Sequence, residues 1–296
     1  MEVKLSVIII SYNMEQLIKR ALESLLMQTN KDFEVIVIDN HSTDNTKEIV
    51  LGFHGLNIKF LEIYNEGILS KSRNLGIENS NSDWIAFLDA DDYWESNKVE
   101  YLCNIINDIK SNIVAISHKC YEEDATTGIR KIINYKKPSG DLYKELIIYK
   151  NLFSLSGMTV RKRALIVCGM FCERSDIKAV EDYELWIRLA KFGDFYYSPE
   201  VLSTIVLHEN NYSKKVELQM RSLHTMKSFY IDNTNELSNK EKKRAYTNLY
   251  ELEMRCLQKN AEFDEAKRVY LELKSKGVFS FKIILLLILV KMKISK

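Results

Sequence analysis

The chain has 296 residues, of which 46% are hydrophobic and 28% charged, and its formal net charge is +1. That composition suits a globular protein with enough apolar surface for a sizeable core, and it excludes disordered, collagen-like and low-complexity chains. The near-neutral balance argues against a nucleic-acid partner, which selects a basic excess.

The first apolar run, Leu5 to Ile10, is too short for a signal-peptide core and is followed by no small-residue cleavage site. It predicts a buried strand at Val7 to Ile10. Leu17, Ile18, Ala21, Leu22, Leu25 and Leu26 then recur at spacings of three and four, which predicts an amphipathic helix over 14–28. Val35 to Ile38 is a second strand. Ser42, Thr43 and Asp44 can cap a short helix that runs to about Leu51. Ile58 to Leu61 reads as a third strand, 68–79 as a helix, and Trp84 to Leu88 as a fourth strand running into Asp89-Ala90-Asp91-Asp92. Val99, Leu102, Ile106 and Ile109 mark a helix before a strand at Ile113 to Ile116.

This alternation predicts an α/β fold with a Rossmann-like, mostly parallel central sheet flanked by helices. Ligands of such sheets sit beyond the carboxyl ends of the strands, where three polar clusters fall: Ser11-Tyr12-Asn13, Asp39-Asn40-His41 and Asp89 to Asp92. Residues 119–140 read as irregular and 140–150 as a helix. Met158 to Arg161 reads as a strand, Asp182 to Phe192 as a helix closed by Gly193, and 195–197 and 201–207 as short strands. From Val216 the pattern is helical, over 216–231, 239–260 and 262–276. The expected division is a first domain over 1–212, a C-terminal helical appendage over 213–278 and an apolar, basic tail over 279–296.

The acid cluster carries the strongest chemistry. Three carboxylates within four positions repel one another unless something positive lies among them. Hard oxygen ligands of this kind suit Mn²⁺ or Mg²⁺, shared with substrate phosphates. The alternative is a solvated acidic turn that caps the next helix.

Five strings appear in order: SVIIISYNMEQLIKRALESLLMQT, FEVIVIDNHSTDNT, NEGILSKSRNLGI, DWIAFLDADDYW and VEDYELWIRLAKFG. In this order and spacing the chain resembles the inverting family-2 glycosyltransferases of the GT-A fold, over roughly residues 4–210. The resemblance implies metal-dependent transfer of a sugar from a nucleotide sugar to a hydroxyl of a glycan or lipid-linked acceptor, in cell-surface polysaccharide synthesis. It implies that Ser11 and Tyr12 meet the nucleotide, with Tyr12 stacking on the base. Asp39 would accept the base ring N–H, which favours UDP over dTDP or GDP, although Asn40 stands where the family usually has a second acid. Arg73 would reach the nucleotide diphosphate. Asp91 would ligate the metal, Asp89 would face ribose and metal, and Asp92 would support both. Asp182 would be the catalytic base and Glu181 would orient the acceptor. His208 sits where relatives carry a histidine that closes over metal or diphosphate, but Val206 replaces the arginine usual in that string. In Gly169-Met170-Phe171-Cys172-Glu173, Cys172 replaces a family acid on the acceptor side.

Rival readings are weaker. A phosphatase with an aspartyl nucleophile wants Thr or Val after its acids, and Tyr93 and Trp94 follow here. A nucleotidyltransferase wants a Gly-rich loop with Arg and Lys after the first strand, and SYNMEQ lacks it. A non-catalytic nucleotide-sugar-binding scaffold would have no reason to keep Asp39, Asp91 and Asp182 together. The five cysteines, Cys103, Cys120, Cys168, Cys172 and Cys256, lack metal-knuckle spacing and read as reduced cytoplasmic thiols.

The tail leaves two readings open. Ile283 to Val290 is an apolar run flanked by Lys282, Lys291, Lys293 and Lys296. As a helix the run spans about 12 Å, against about 30 Å of hydrocarbon, so it is too short to cross a bilayer. It suits either a peripheral anchor on the inner face of the plasma membrane or a last element packed on the appendage.

Overall fold

The computed structural model describes residues 5–133, 137–209, 216–260, 262–277 and 280–294. The chain divides into two compact units. One comprises Met1–Lys137, Leu152–Ser175 and Glu181–Asn211; the other comprises Pro138–Asn151, Asp176–Val180 and Tyr212–Lys296. The expected boundary at 212 lies outside the described residues.

The first unit is built on one sheet. β1 (Leu5–Ser11), β2 (Phe33–Asp39), β3 (Ile58–Glu62) and β4 (Trp84–Phe87) lie parallel in the order β3-β2-β1-β4. Every residue of β2 is buried, as expected of a strand covered on both faces. On one face Val7, Ile9, Val35 and Val37 pack in a common core with Ile18, Leu22 and Leu25 of α1 (Ile18–Leu26). On the other, α3 (Leu69–Glu78) lies against Ile8 and Ile38. Gly76 makes that approach possible, because a Cβ there would sit 2.7 Å from Ile8 Cγ2 and 2.8 Å from Ile38 Cδ1. The close approach seats Arg73 and Asn74 of the same helix at the strand ends. α2 (Thr46–Leu51) connects β2 to β3 on the α1 side, with Val50 in the same core.

Beyond β4 the sheet becomes mixed. β8 (Met158–Arg161) enters antiparallel between β4 and β6 (Ile113–Asp124). β6 then pairs parallel with β9 (Asp194–Leu207), and β5 (Tyr93–Trp94) closes the edge antiparallel to β9. Two expectations are corrected here. The stretch expected to be irregular begins with the second half of β6, which forms a hairpin with β7 (Arg130–Ile133). The two short strands expected at 195–197 and 201–207 are one strand, whose register against β6 shifts between Ser117 and Lys119. The end of β6 is charged and half-exposed and shows no clean period of two, so cross-strand pairing, rather than propensity, makes it a strand; in β9 the exposed Pro199 and Glu200 interrupt the pattern between two buried stretches. α4 (Lys98–Asp108), α6 (Lys162–Val167) and α7 (Glu181–Leu189) complete this unit.

The second unit is helical. α5 (Leu142–Ile148) starts at Asp141, whose side chain accepts the Lys144 N–H. α8 (Val216–Asn233), α9 (Asn239–Asn260), α10 (Phe263–Ser275) and α11 (Phe281–Ile294) follow. Ala245 and Leu249 of α9, Ala266, Val269 and Leu273 of α10, and Ile283, Leu286 and Val290 of α11 are buried, at the spacings of three and four expected of packed helices. No helix among the described residues is long and apolar enough to cross a membrane.

Candidate active site

Parallel pairing brings Ser11 at the end of β1 opposite Asp39 at the end of β2. Ser11 donates its hydroxyl to Asp39 Oδ1 at 2.8 Å. Ser42 adds two bonds, from its N–H to Oδ2 at 2.7 Å and from its hydroxyl to Oδ1 at 2.6 Å. A carboxylate has about four acceptor positions, so one on Oδ2 is left for a donor from outside. The loops after β1 and β2 are also stitched together, for Asn13 accepts from Thr43 N–H at 2.8 Å and donates its own N–H to Ser42. Tyr12, next to Ser11 in sequence, is 52% exposed. Asn40 Oδ1 accepts the Asn65 N–H at 2.8 Å, which ties β2 to the loop before α3.

Asp89, Asp91 and Asp92 follow β4. Their ligand atoms lie within 4.8 Å of one another. Burial pushes the Asp89 carboxyl up to about 6; Asp91 pushes the same way and Arg73 opposes it. Asp92 is raised well above the usual carboxylate range by burial and by both neighbours. Such a cluster disfavours its own ionised form, which is the condition a cation relieves. His208, just past β9, joins it, with Nε2 2.9 Å from Asp91 Oδ2. A donor set of carboxylate oxygens with one imidazole beside it suits a divalent cation such as Mn²⁺ or Mg²⁺.

Asp92 has a different task. It is 4% exposed, and its two oxygens accept from Ser156 Oγ at 2.5 Å and Val206 N–H at 3.0 Å. Ser156 Oγ in turn accepts the Asp89 N–H at 3.2 Å. The Ser156 carbonyl accepts from Lys98 Nζ at 2.9 Å and from the Ser203 hydroxyl at 2.9 Å. Lys98 is fully buried, 3.7 Å above the Trp94 ring. From outside, Arg20 donates to the Asp91 carbonyl at 3.5 Å and to Glu123 at 3.1 Å. Sequence reasoning passed over Ser156, Lys98 and Ser203, since none belongs to a motif and nothing in the residues around them marks them.

Arg73 sits at the same strand ends, on α3. It is 5% exposed and donates to Glu181 Oε1 at 2.6 Å and to Asp89 Oδ1 at 3.4 Å. One guanidinium thus links the acid cluster after β4 to the start of α7. The neighbouring Asn74 accepts the Phe171 N–H and donates to the Phe171 carbonyl and Glu173, pinning the turn that begins at Gly169. Leu185, Trp186 and Leu189 anchor α7 in the core. At its first turn Glu181 is buried, and its Oε2 has no hydrogen-bond partner among the described residues. Asp182 is pushed up to about 7, first by burial and then by Glu181, against the pull of the Tyr183 N–H and Arg73. A carboxylate that exchanges its proton near neutrality is suited to general-base work.

A comparison with known sequences decides the family. The pattern of glycosyl transferase family 2 matches residues 6–168, more than half of the chain. The chain belongs to glycosyl transferase family 2.

A Rickettsia typhi relative, described as an uncharacterized glycosyltransferase, is 28% identical over 214 residues. That match takes in 69% of this chain and 64% of the relative, so the chain spans less than two thirds of that protein. Among solved structures, S. aureus TarS 1–349 in complex with UDP-GlcNAc is similar with a TM-score of 0.63 at 22% identity, over 83% of this chain and 72% of that one. The mannosyltransferase PcManGT of Pyrobaculum calidifontis, in complex with GDP-Man and Mn²⁺, is similar with a TM-score of 0.58 at 16% identity, over 99% and 87%. At these identities the likeness concerns the fold, a mixed α/β GT-A architecture. The family-2 strings fall where that fold needs them, at the strand ends and at the start of α7.

Proposed function

We propose that the chain transfers a sugar from a nucleotide sugar, UDP-linked, to a hydroxyl of a glycan or lipid-linked acceptor, with inversion and with a divalent metal. The observation that carries this reading is the Arg73 bridge, which holds the acid cluster and the α7 acids against one guanidinium. The bridge supports a single site in which charge neutralisation at the leaving diphosphate and proton removal at the acceptor would take place together.

Asp91, Asp89 and His208 would hold Mn²⁺ or Mg²⁺, which when bound supplies Lewis-acid help to the departing diphosphate. Asp39 keeps its remaining acceptor position for a base ring N–H, the donor that uracil presents, and Tyr12 offers the stacking face. The TarS complex with UDP-GlcNAc supports UDP by analogy of fold, while the PcManGT complex with GDP-Man keeps the base a matter for experiment. Asp182 removes the acceptor proton on the face opposite the leaving group, as inversion requires. Glu181, fixed by Arg73 through Oε1, retains Oε2 to accept from an acceptor hydroxyl. Arg73 acts by positioning these acids. A cytoplasmic enzyme of cell-surface polysaccharide synthesis is the role in view.

Isothermal titration of UDP, GDP and dTDP with and without Mn²⁺ tests the donor side. Metal-dependent binding of UDP, abolished in Asp91→Ala, is expected. Equal binding without metal, or retention in that variant, would remove the metal role.

A further inference from the structure

α11 is apolar on two opposite faces, and among the described residues only one of them is covered. Ile283, Leu286 and Val290 are buried in the packing with α9 and α10. Phe281, Leu285, Ile288, Leu289 and Met292 are exposed, at 81%, 55%, 50%, 36% and 56%. At about 100° per residue these five form one stripe, roughly 150° away from the buried one. Lys282 and Lys291 fall about 90° to either side of the stripe's centre, so they border it on both edges. Both lysines are exposed, and the helix holds no acid. Lys282 pairs with Glu251 of α9 at 2.6 Å while its side chain stays 53% exposed.

We propose that this face of α11 docks on an anionic lipid membrane, lying in the interface with the stripe in the acyl boundary and the lysines at the headgroups. Three arguments select a lipid surface. An interfacial helix needs a wide apolar face bordered by cations whose stems can lie along it, which is this pattern. A second copy of the same face would bring lysine borders against lysine borders, so self-association meets like-charge repulsion. The helix has 14 residues, about 21 Å at 1.5 Å per residue, too short for the roughly 30 Å hydrocarbon core, so it lies on the bilayer. The sequence left anchoring and packing as alternatives; α11 has a separate face for each. The proposal is independent of the transferase reading, because vesicle binding is measured without sugar or metal.

The test uses the full chain in vesicle flotation. One set of vesicles is phosphatidylcholine alone, and the other is one part phosphatidylglycerol to roughly three parts phosphatidylcholine. The wild type is expected to float with the anionic vesicles and to be released by salt. Leu285→Glu with Ile288→Glu should cost at least about tenfold in apparent affinity, and Lys291→Gln about fivefold on anionic vesicles only. Both leucine and isoleucine are half-exposed, so the packed face is untouched, and circular dichroism verifies the fold. A second readout avoids charge insertion: Leu285→Trp should show a blue-shifted emission on anionic vesicles. A wild type that floats with neither vesicle, or a double variant that floats equally well, would overturn the proposal. So would a wild-type dimer in sedimentation velocity that the double variant makes monomeric, without vesicle binding, since that would assign the face to a second copy.

Discussion

Arg73 and Glu181 are 108 positions apart in the chain and form a 2.6 Å ion pair in which both side chains are almost fully buried. Breaking such a pair leaves an uncompensated buried charge, which typically costs about 3–5 kcal/mol. Arg73→Met should therefore lower stability by that order. It should also move the proton equilibrium of Asp182, because the Arg73 charge holds that carboxyl down. With the guanidinium gone, the acidic limb of the kcat/KM profile should shift to higher pH. A pH profile of the variant that keeps its limb in place would detach Arg73 from the base.

Asp182 itself gives the second prediction. Its carboxyl is pushed up to about 7, so the fraction able to accept a proton rises as pH rises through 7. Activity should rise over the same window. Asp182→Asn should reduce turnover by roughly 10²–10⁴-fold with donor binding spared. Folding has the opposite sign. The native state holds a proton between pH 3.8 and about 7 that the unfolded chain has released, so ionised Asp182 costs stability, fully so above pH 7. Asp182→Asn should raise Tm at pH 8 and change it little at pH 4. A turnover equal to wild type would remove Asp182 as base; a lower Tm at pH 8 would refute the burial account.

Ser156 should matter beyond its size. Its hydroxyl serves the Asp92 carboxylate and the Asp89 N–H together, and its carbonyl is held by Lys98 and Ser203. Ser156→Ala removes both hydroxyl bonds in a buried place, at about 1–3 kcal/mol in stability. If the hydroxyl positions the acid cluster, the Mn²⁺ concentration for half-maximal activity should rise by several-fold, with Ser156→Thr restoring most of it. Stability loss with an unchanged Mn²⁺ requirement would make Ser156 structural only.

The sheet and most of the site were legible because two strong signals coincided. Buried parallel strands read as apolar runs, as in Phe33 to Asp39, and the polar residues that end them are conspicuous against that background. Asp89 and Asp91 stand out in the same way, whereas Asp182, in the first turn of a helix, was singled out only through the resemblance of VEDYELWIRLAKFG to the family. Partners were less legible. Nothing in the sequence tells that Arg73 meets Glu181 rather than open solvent, because that contact depends on how closely α3 approaches the sheet, and Gly76 decides it. Ser156 and Lys98 belong to no motif; only the mixed half of the sheet brings β8, β9 and α4 together around them. That half was read least well, since β6 beyond Ser117 is charged and half-exposed and takes its strand character from pairing with β7 and β9.

The helical unit supplies the last prediction. His224 of α8 lies between two acids on different helices, with Nδ1 3.1 Å from Glu253 Oε2 of α9 and Nε2 3.7 Å from Glu272 Oε1 of α10. The Glu253 hydrogen bond raises its pKa above the usual 6.5, against burial and against Arg268, with both acids adding attraction. Tyr250 meets the ring edge-on at 5.2 Å and donates its hydroxyl to Glu272. A raised histidine pKa means that the folded state binds the proton more tightly than the unfolded chain. The stabilisation is therefore complete below pH 6.5 and fades as pH rises through the folded value. Its size should be about 1 kcal/mol, since the imidazole is 24% exposed and the pair is partly screened. His224→Gln should lower the stability of this unit at pH 5.5 and leave it nearly unchanged at pH 9. Urea unfolding followed across that range would read the difference directly, and a cost that is equal at both ends would show that packing, rather than the proton, is what His224 provides.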